Sequence, residues 1–428
     1  MTLGLRALAL TAIVVSAAVL PAHAAERAPQ GSPVAPEGAT LSAWSVLPAA
    51  TYVPGSETSG HWTSGNAAIP APYPGQPVQG FSGTHALGGG SFLVLSDNGF
   101  GRKSNSADFL LSLHRITPET VAADGDGATT YDKTLFTMSD PDHLVPWPIW
   151  RDGACQQAAS LPAGYACPTA DRQLTGWDFD PESLQVAKDG TFWVGEEFGP
   201  FLLHLNAGGE LIEAPIPTPG VKSPSNPTLG GAVPEILDSK GFEGMSISPN
   251  GQVLHPMLEG ATAEDKAAGL ANDLRIYTVR KGEYAESFLR YRMESAGNAL
   301  GDFIQINKDE ALVIERDGGQ GATAVFKRIY LVDLRDADGN GYVEKRLLVD
   351  LMNVTNPDGL SPYGDPFTFP FVTIEDVEIL DAQTIAVMND NNFPATGGRS
   401  SSQPDQNEYL EITLAAPLKV DHRLLPGR

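Results

Sequence analysis

Positive charge is scarce in this chain of 428 residues. Lys and Arg number 28 against 52 Asp and Glu, a formal net charge of −24. A field of that sign repels polyanions and keeps a protein in solution, so nucleic acid is excluded as a partner. Cysteine is scarcer still: Cys155 and Cys167 are the whole complement. Their spacing is not C-x-x-C and no His sits close by, which disfavours a redox or metal pair. Long apolar runs are missing after the first 24 residues, so no membrane span is expected. Several motifs are also absent. H-E-x-x-H, the phosphate-binding P-loop and the dinucleotide-binding glycine fingerprint do not occur. The nearest approach to G-x-S-x-G, Gly80-Phe81-Ser82-Gly83-Thr84, breaks at its last position.

Turn formers, by contrast, are abundant, with 45 Gly and 34 Pro, and the hydrophobic fraction of 42% suffices for a packed core. That combination implies many short elements joined by tight turns. It argues against long helical bundles and doubly wound α/β folds. Residues 1–24 read as a signal peptide: Arg6, an apolar run from Ala7 to Leu20, then the small-x-small site Ala22-His23-Ala24. Residues 25–40 read as a flexible leader and 41–428 as one domain. The mature protein is expected to be secreted, extracellular or periplasmic, and monomeric. In an exported chain with an even cysteine count, a Cys155–Cys167 disulfide is expected.

The organising feature is a repeat. Five segments open on Ser82, Glu182, Glu243, Asp302 and Glu375 and continue as a short β-patterned run. Eight positions on comes a turn, at Gly90, Gly190, Gly251, Glu310 and Gln383. A second β run then ends in a polar cluster: Asp97-Asn98, Glu196-Glu197, Glu259, Glu315-Arg316-Asp317 and Asn389-Asp390. Each interval holds a further strand-like run. Four strands repeated about an axis make an all-β fold, a β-propeller of four-stranded blades. Six blades are favoured, the sixth built from Leu41–Val53 with Leu418–Leu424, while five or seven stay open.

In a propeller the start of a blade's first strand and the end of its second emerge on one face. The five starts should therefore ring one mouth of the channel. Like charges converging there are costly, and a hard cation resolves the conflict. Ca²⁺ suits this oxygen-rich ring, with Mg²⁺ second and zinc disfavoured. The expected ligands are Glu182, Glu243, Asp302, Glu375, Asn389 and Asp97. The bland alternative is that these acids only cap strand starts. Asp336, Asp338 and Asn340 match the first half of a calcium loop, but position twelve is Leu347, so a peripheral calcium and a plain acidic turn are both open. His85 is the first candidate general base, Glu196 is a second proton-transfer candidate, and Arg316 can hold an anionic group.

The runs F-S-G-T-H-A-L, S-D-N-G-F-G, D-P-E-S-L, W-V-G-E-E-F-G-P, G-F-E-G-M-S-I-S-P-N-G, I-E-D-V-E-I-L and N-D-N-N-F resemble, in order, the family described as "esterase-like activity of phytase". The resemblance covers roughly residues 75–415. It implies an exported phytase-like propeller that hydrolyses small esters or phosphate esters. The acidic starts are also similar to calcium-dependent lactonase propellers of the gluconolactonase and paraoxonase type. That analogy maps onto Glu182, Glu243, Asp302 and Glu375, and Ser82 departs from it. Three functions follow as expectations: a calcium-dependent ester or phosphoester hydrolase, a calcium-dependent lactonase, or a ligand-binding propeller with structural calcium. With no serine elbow, metal-assisted attack by water fits the residues better than a serine triad.

Overall fold

The computed structural model describes Met1 and residues 38–427, apart from 122–125, 154, 156, 157 and 159. The signal peptide and most of the leader lie outside the described residues. The protein is all-β. The one α-helix among the described residues, Ala263–Ala267, has five residues.

Four-stranded antiparallel units follow one another along the chain. The first runs Phe81–Ala86, Phe92–Ser96, Ser112–Glu119, Ala128–Thr137. The second runs Pro181–Val186, Phe192–Glu196, Phe201–Leu205, Ile216–Pro217. The third runs Gly244–Ile247, Leu254–Met257, Asp273–Ile276, Leu289–Arg292, with a small hairpin at Val279–Arg280 and Glu283–Tyr284. The fourth runs Asn298–Gln305, Glu310–Asp317, Lys327–Asp333, Glu344–Asp350. The fifth runs Ile374–Ile379, Thr384–Asn389, Asn407–Thr413, and its outer strand is Thr40–Leu47 from the other end of the chain. A parallel bridge, Val46 to Ala128, joins the first and fifth units into one eight-stranded sheet.

The first strands pack side by side in a closed circuit: each touches the next, and Ile374–Ile379 returns to Phe81–Ala86. The apolar core follows this circuit as wedges rather than as a single centre. Leu95 and Leu113 meet Val194 and Leu203 between the first two units. Leu202 and Phe242 meet Met245 and Leu254 in the next wedge. Leu274 and Tyr291 meet Phe303 and Val313. Leu312 and Ile329 meet Val377 and Leu410. Val94 and Ile116 meet Met388 and Tyr409, which closes the circuit. Each sheet is thus covered on both faces, so a central strand such as Glu310–Asp317 reads as an unbroken buried run and not as alternation.

The sixth unit expected from Leu41–Val53 and Leu418–Leu424 does not form. Thr40–Leu47 spends its pairing on Asn407–Thr413, and residues 418–424 contain no strand. The long interval after the first unit carries an insert pinned by the Cys155–Cys167 disulfide. There Trp150 packs with Trp62, Tyr165 and Trp177.

Because the wedges hold neighbouring sheets together, truncating one should act on the whole ring. Leu410→Ala, fully buried between the fourth and fifth units, is expected to cost about 2–5 kcal/mol in urea unfolding. A change under about 0.5 kcal/mol would contradict this packing.

Candidate functional site: an acidic ring closed by one arginine

The first strands open on an irregularity. The ladder skips a residue between Pro181 and Ser183, between Leu300 and Asp302 and between Ile374 and Asp376, and it shifts again between Phe81 and Thr84. These are β-bulges, which re-aim a side chain at a strand end. The bulged residues are Glu182, Gly301 and Glu375. By the same register Ser82 and Glu243 take the equivalent places. Fifteen positions after Ser82, Glu182, Gly301 and Glu375 stand Asp97, Glu197, Arg316 and Asp390, and sixteen after Glu243 stands Glu259. Two interleaved rings result. Among their ten positions Arg316 is the one basic residue.

Arg316 holds the centre. Its Nη2 donates to Glu243 Oε1 at 2.8 Å, Glu375 Oε1 at 3.1 Å and Glu259 Oε1 at 3.3 Å. Those glutamates come from the third and fifth units, so one guanidinium ties three units together. Burial alone would lower its pKa, but the same three glutamates raise it, and the group stays charged. Ser82 Oγ donates to the other oxygen of Glu375 at 3.1 Å. Lys240 pairs with Glu259 Oε2. Asn98 donates to Asp180 from its backbone at 3.1 Å and from its amide at 2.7 Å. Gln79 and the Gly99 N–H donate to Asp97 Oδ1 at 3.0 and 2.8 Å, and the Gly241 N–H donates to Glu197 at 2.8 Å.

All eight carboxylates at this mouth, Asp97, Asp180, Glu182, Glu197, Glu243, Glu259, Glu375 and Asp390, are buried. Two like charges about 4 Å apart repel by about 4 kcal/mol at an effective dielectric of 20. The proton affinities respond. Burial, with Asp180 adding, pushes Asp97 up to about 7. Burial and then Asp390 push Glu375 up to about 8. Burial, followed by neighbouring carboxylates, holds Glu182, Glu197, Glu243 and Asp390 well above the ordinary range. Two triads converge tightly enough to share a metal ion: Asp180, Glu182 and Glu197, and Glu197, Glu243 and Glu259, each with its ligand oxygens within 4.8 Å of one another. Glu197 belongs to both. The donor set is all carboxylate, which suits a hard cation.

Of the residues singled out in the sequence, the structure brings Asp97, Glu182, Glu243, Glu375 and Arg316 to this mouth. Ser82, Glu197, Glu259 and Asp390, read as a repeat start and as cluster members, join them, and the remaining ligand and catalytic candidates lie elsewhere. The ring position of the fourth unit belongs to Gly301, and a Cβ there would come within 2.0 Å of the Ile374 carbonyl oxygen. Asp302, one residue on, turns to the neighbouring strand and accepts the Val377 N–H at 2.9 Å and its own Phe303 N–H at 2.6 Å. Glu196 and Asn389 alternate with Glu197 and Asp390, so they point the other way. Glu196 accepts the N–H groups of Phe198, Gly199 and Phe201 at 2.7–2.9 Å, turned away from the ring, and burial pushes its carboxyl up to about 8. Asn389 accepts from the Glu408 N–H at 2.8 Å and donates to the Asp390 and Gln406 carbonyls. His85 lies away from the acids, in a cavity with Gln185 and Glu378. Burial lowers its pKa to about 4. Asp336, Asp338 and Asn340 fold onto their own turn: Asp336 accepts the Gly341 N–H at 2.9 Å, and Asp338 accepts the Asn340 amide at 2.6 Å.

Sequence reasoning missed Asp180 and Lys240 as members of the site. Asp180 precedes the repeat start by two residues, and Lys240 has no counterpart in the other units. The offset of fifteen from Ser82 to Asp97 was the signal that could have chosen Glu197 over Glu196 and Asp390 over Asn389. Beside the ring are two cavities that share Gly101. One of about 410 Å³ is lined by Asp97, Phe100 and Asn392, and one of about 500 Å³ by Lys103, Trp177 and Asp238. Lys103 Nζ sits 4.1 Å from the centre of the Trp177 ring.

A circuit of strands whose bulged ends carry carboxylates defines a propeller-type β protein with an acidic mouth. The chain belongs to the Phytase-like family, "esterase-like activity of phytase", whose sequence model matches residues 76–393. It is 27% identical over 105 residues to an uncharacterized secreted protein of Arthroderma benhamiae, a match spanning 20% of each chain. Solved structures similar to it include the PQQ-bound aldose sugar dehydrogenase of Streptomyces coelicolor, at 11% identity, covering 90% of this chain and 100% of that one with a TM-score of 0.35. The major allergen Mala s 1 of Malassezia sympodialis matches at 11% identity over 82% of this chain and 83% of that one, with a TM-score of 0.38.

The raised carboxylates set a direction for pH. A carboxyl whose folded pKa lies above its unfolded value keeps a proton that the unfolded chain has released, so its stabilisation is lost as pH rises. Asp97, Asp302 and Glu375, at about 7, 7 and 8, place that loss between about pH 5 and 8. His85 and His114, lowered by burial to about 4 and 3, act oppositely below their ordinary 6.5. In EDTA, Tm is therefore expected to fall between pH 6.5 and 8.5; a rise over that window would contradict the buried ring. Arg316→Gln strands three buried glutamates and should cost about 3–5 kcal/mol in urea unfolding in EDTA. A neutral effect would remove Arg316 from the centre.

Proposed function

We propose that this protein is an exported hydrolase of small ester or phosphate-ester substrates, working with a divalent cation, calcium first, at the acidic mouth of a five-bladed propeller. The observation that carries this reading is the ring itself: eight buried carboxylates face two cations, Arg316 and Lys240. Such an excess persists only if protons or a bound cation offset it. Asp180, Glu182, Glu197, Glu243 and Glu259 are the residues that would hold the ion. Ca²⁺ accepts six to eight oxygens in flexible geometry, whereas the cluster offers neither thiol nor imidazole for zinc. When bound, such an ion polarises a carbonyl or phosphoryl oxygen and lowers the pKa of water.

The protein's own groups have separable tasks. Arg316 fixes Glu243, Glu259 and Glu375 in one geometry, and its charge is spent on them rather than on substrate. Asp97 faces the 410 Å³ cavity. Raised to about 7, its carboxyl can take or give a proton at neutral pH, which makes it the acid–base group in this reading. Lys103, beside the 500 Å³ cavity, supplies positive charge for an anionic part of the substrate. Family membership supports ester chemistry. Export is supported by the disulfide, by the secreted relative and by the signal-like start of the sequence. The blade count rests on five wedge cores in a closed circuit.

The test is hydrolysis of p-nitrophenyl acetate, p-nitrophenyl phosphate, phytate and a lactone by the mature chain, with calcium and with EDTA. At least one substrate should turn over, and EDTA should lower the rate by about 100-fold or more. Glu197→Gln, which touches both triads, should weaken calcium binding by about tenfold or more, a loss of about 1.4 kcal/mol. Turnover indifferent to EDTA would overturn the metal-dependent reading. A calcium-dependent Tm with no turnover of any substrate would leave a binding propeller.

A further inference from the structure

The channel has a second end. Past the bulges, the first strands of the first, second, fourth and fifth units bring His85, Gln185, Ile304 and Glu378 to the wall of a cavity of about 650 Å³. That volume lies within the range of small-molecule sites. The C-terminal segment roofs it. Asp421 N–H donates to the Ile306 carbonyl at 2.8 Å, Asn307 holds the Lys419 carbonyl at 2.7 Å, and Gly427 ends against Gly88 of the first unit. The segment therefore crosses from the fourth unit to the first, and Leu424, Leu425 and Pro426 line the cavity from above. Nothing in the acidic mouth requires this construction.

The inner wall is polar, and its cationic side chains, Lys188 and Arg423, stand with His422 among the lining residues outside the His85, Gln185 and Glu378 group. Burial keeps the His85 imidazole neutral down to about pH 4. Burial, with Asp302 adding, pushes Glu378 up to about 8, so its carboxyl is protonated at neutral pH. Arg423 at the rim is tied to Asp421 through two hydrogen bonds of 2.9 and 2.6 Å. Gln185 gives its Nε2 to the Met245 carbonyl at 2.7 Å, which leaves its carbonyl oxygen for a ligand. Gln305, 6% exposed, lines the same cavity with an Oε1 that has no hydrogen-bond partner. The His85 ring makes no hydrogen bond among the described residues, although both of its nitrogens can serve. Imidazole, carboxamide and protonated carboxyl each donate and accept, and so does every hydroxyl of a polyol. The leucines and proline of the roof suit the C–H face of such a molecule.

We infer that the channel end opposite the acidic ring is a second binding site, which takes a neutral polyhydroxylated small molecule held by His85, Gln185 and Glu378 beneath the C-terminal strap. The site is independent of calcium and of hydrolysis at the other mouth.

The experiment uses D-glucose and D-sorbitol as probes, with saturation-transfer NMR and calorimetry on the mature chain at pH 7 in EDTA. At least one polyol should bind saturably. His85→Leu and Glu378→Leu should weaken it by about tenfold or more, whereas Glu378→Gln, which keeps a neutral donor and acceptor, should stay within about threefold. Circular dichroism melts establish that each variant is folded. Should Glu378→Leu fail to fold, His85→Leu and Glu378→Gln decide. The inference is overturned by absence of saturation with both polyols, or by affinity unchanged in His85→Leu. It is also overturned if Glu378→Gln abolishes binding while tetramethylammonium binds the parent protein, since the wall would then serve as an anion for cationic ligands.

Discussion

One guanidinium surrounded by carboxylates is the constraint on which the rest of this protein turns. Ten strand-end positions converge at one mouth of a channel, and seven of the side chains they deliver are acidic. Such a convergence is self-repelling. Arg316 relieves it by donating from one nitrogen to glutamates of two neighbouring units. Its own unit contributes no acid to the first ring, because Gly301 stands there. The absence of a side chain at Gly301 and the presence of a cation at Arg316 are two halves of one solution. A carboxylate in place of either would add repulsion where a charge now compensates it.

Closure of the ring is the second condition. Bulged strand ends can converge only if their strands stay side by side, and the wedge cores between neighbouring sheets enforce that. The outer strand of the fifth unit, Thr40–Leu47, comes from the start of the domain. The two ends of the fold therefore meet in one sheet, and the geometry of the mouth depends on residues more than 300 positions apart. The same closure makes the opposite end of the channel a defined place, roofed by the C-terminal strap. The molecule thus has two chemically distinct mouths: one dense in buried carboxylates, the other lined by His85, Gln185, Gln305 and Glu378 with apolar residues of the strap.

Much of this was legible in the chain. Turn chemistry, hairpin spacing and the polar clusters that end each second run identified the β repeat, the family and the acidic character of one face. Glu182, Glu243 and Glu375 were readable as repeat starts, and Asp97 and Arg316 as members of the polar clusters that end the second runs. The errors share one cause. A bulge adds a residue without leaving a mark in composition, so Asp302 was taken for the ring position that belongs to Gly301. Likewise, in the pairs Glu196-Glu197 and Asn389-Asp390, adjacent residues point to opposite sides of the sheet, and only the register says which one faces the axis. His85 was misplaced because a strand of six residues reaches from one mouth to the other.

The sequence by itself determined the all-β class, the repeat, the family and the concentration of acid at strand ends, since these follow from local periodicity and turn chemistry. Tertiary structure alone decided where the first strand of the domain pairs, the register at each bulge, the pairing of Arg316 with three glutamates and the membership of Asp180 and Lys240. The physical reason is range. Periodicity is a property of a few neighbouring residues, whereas Coulomb repulsion, burial and ring closure act between side chains that come together only when the chain has closed on itself.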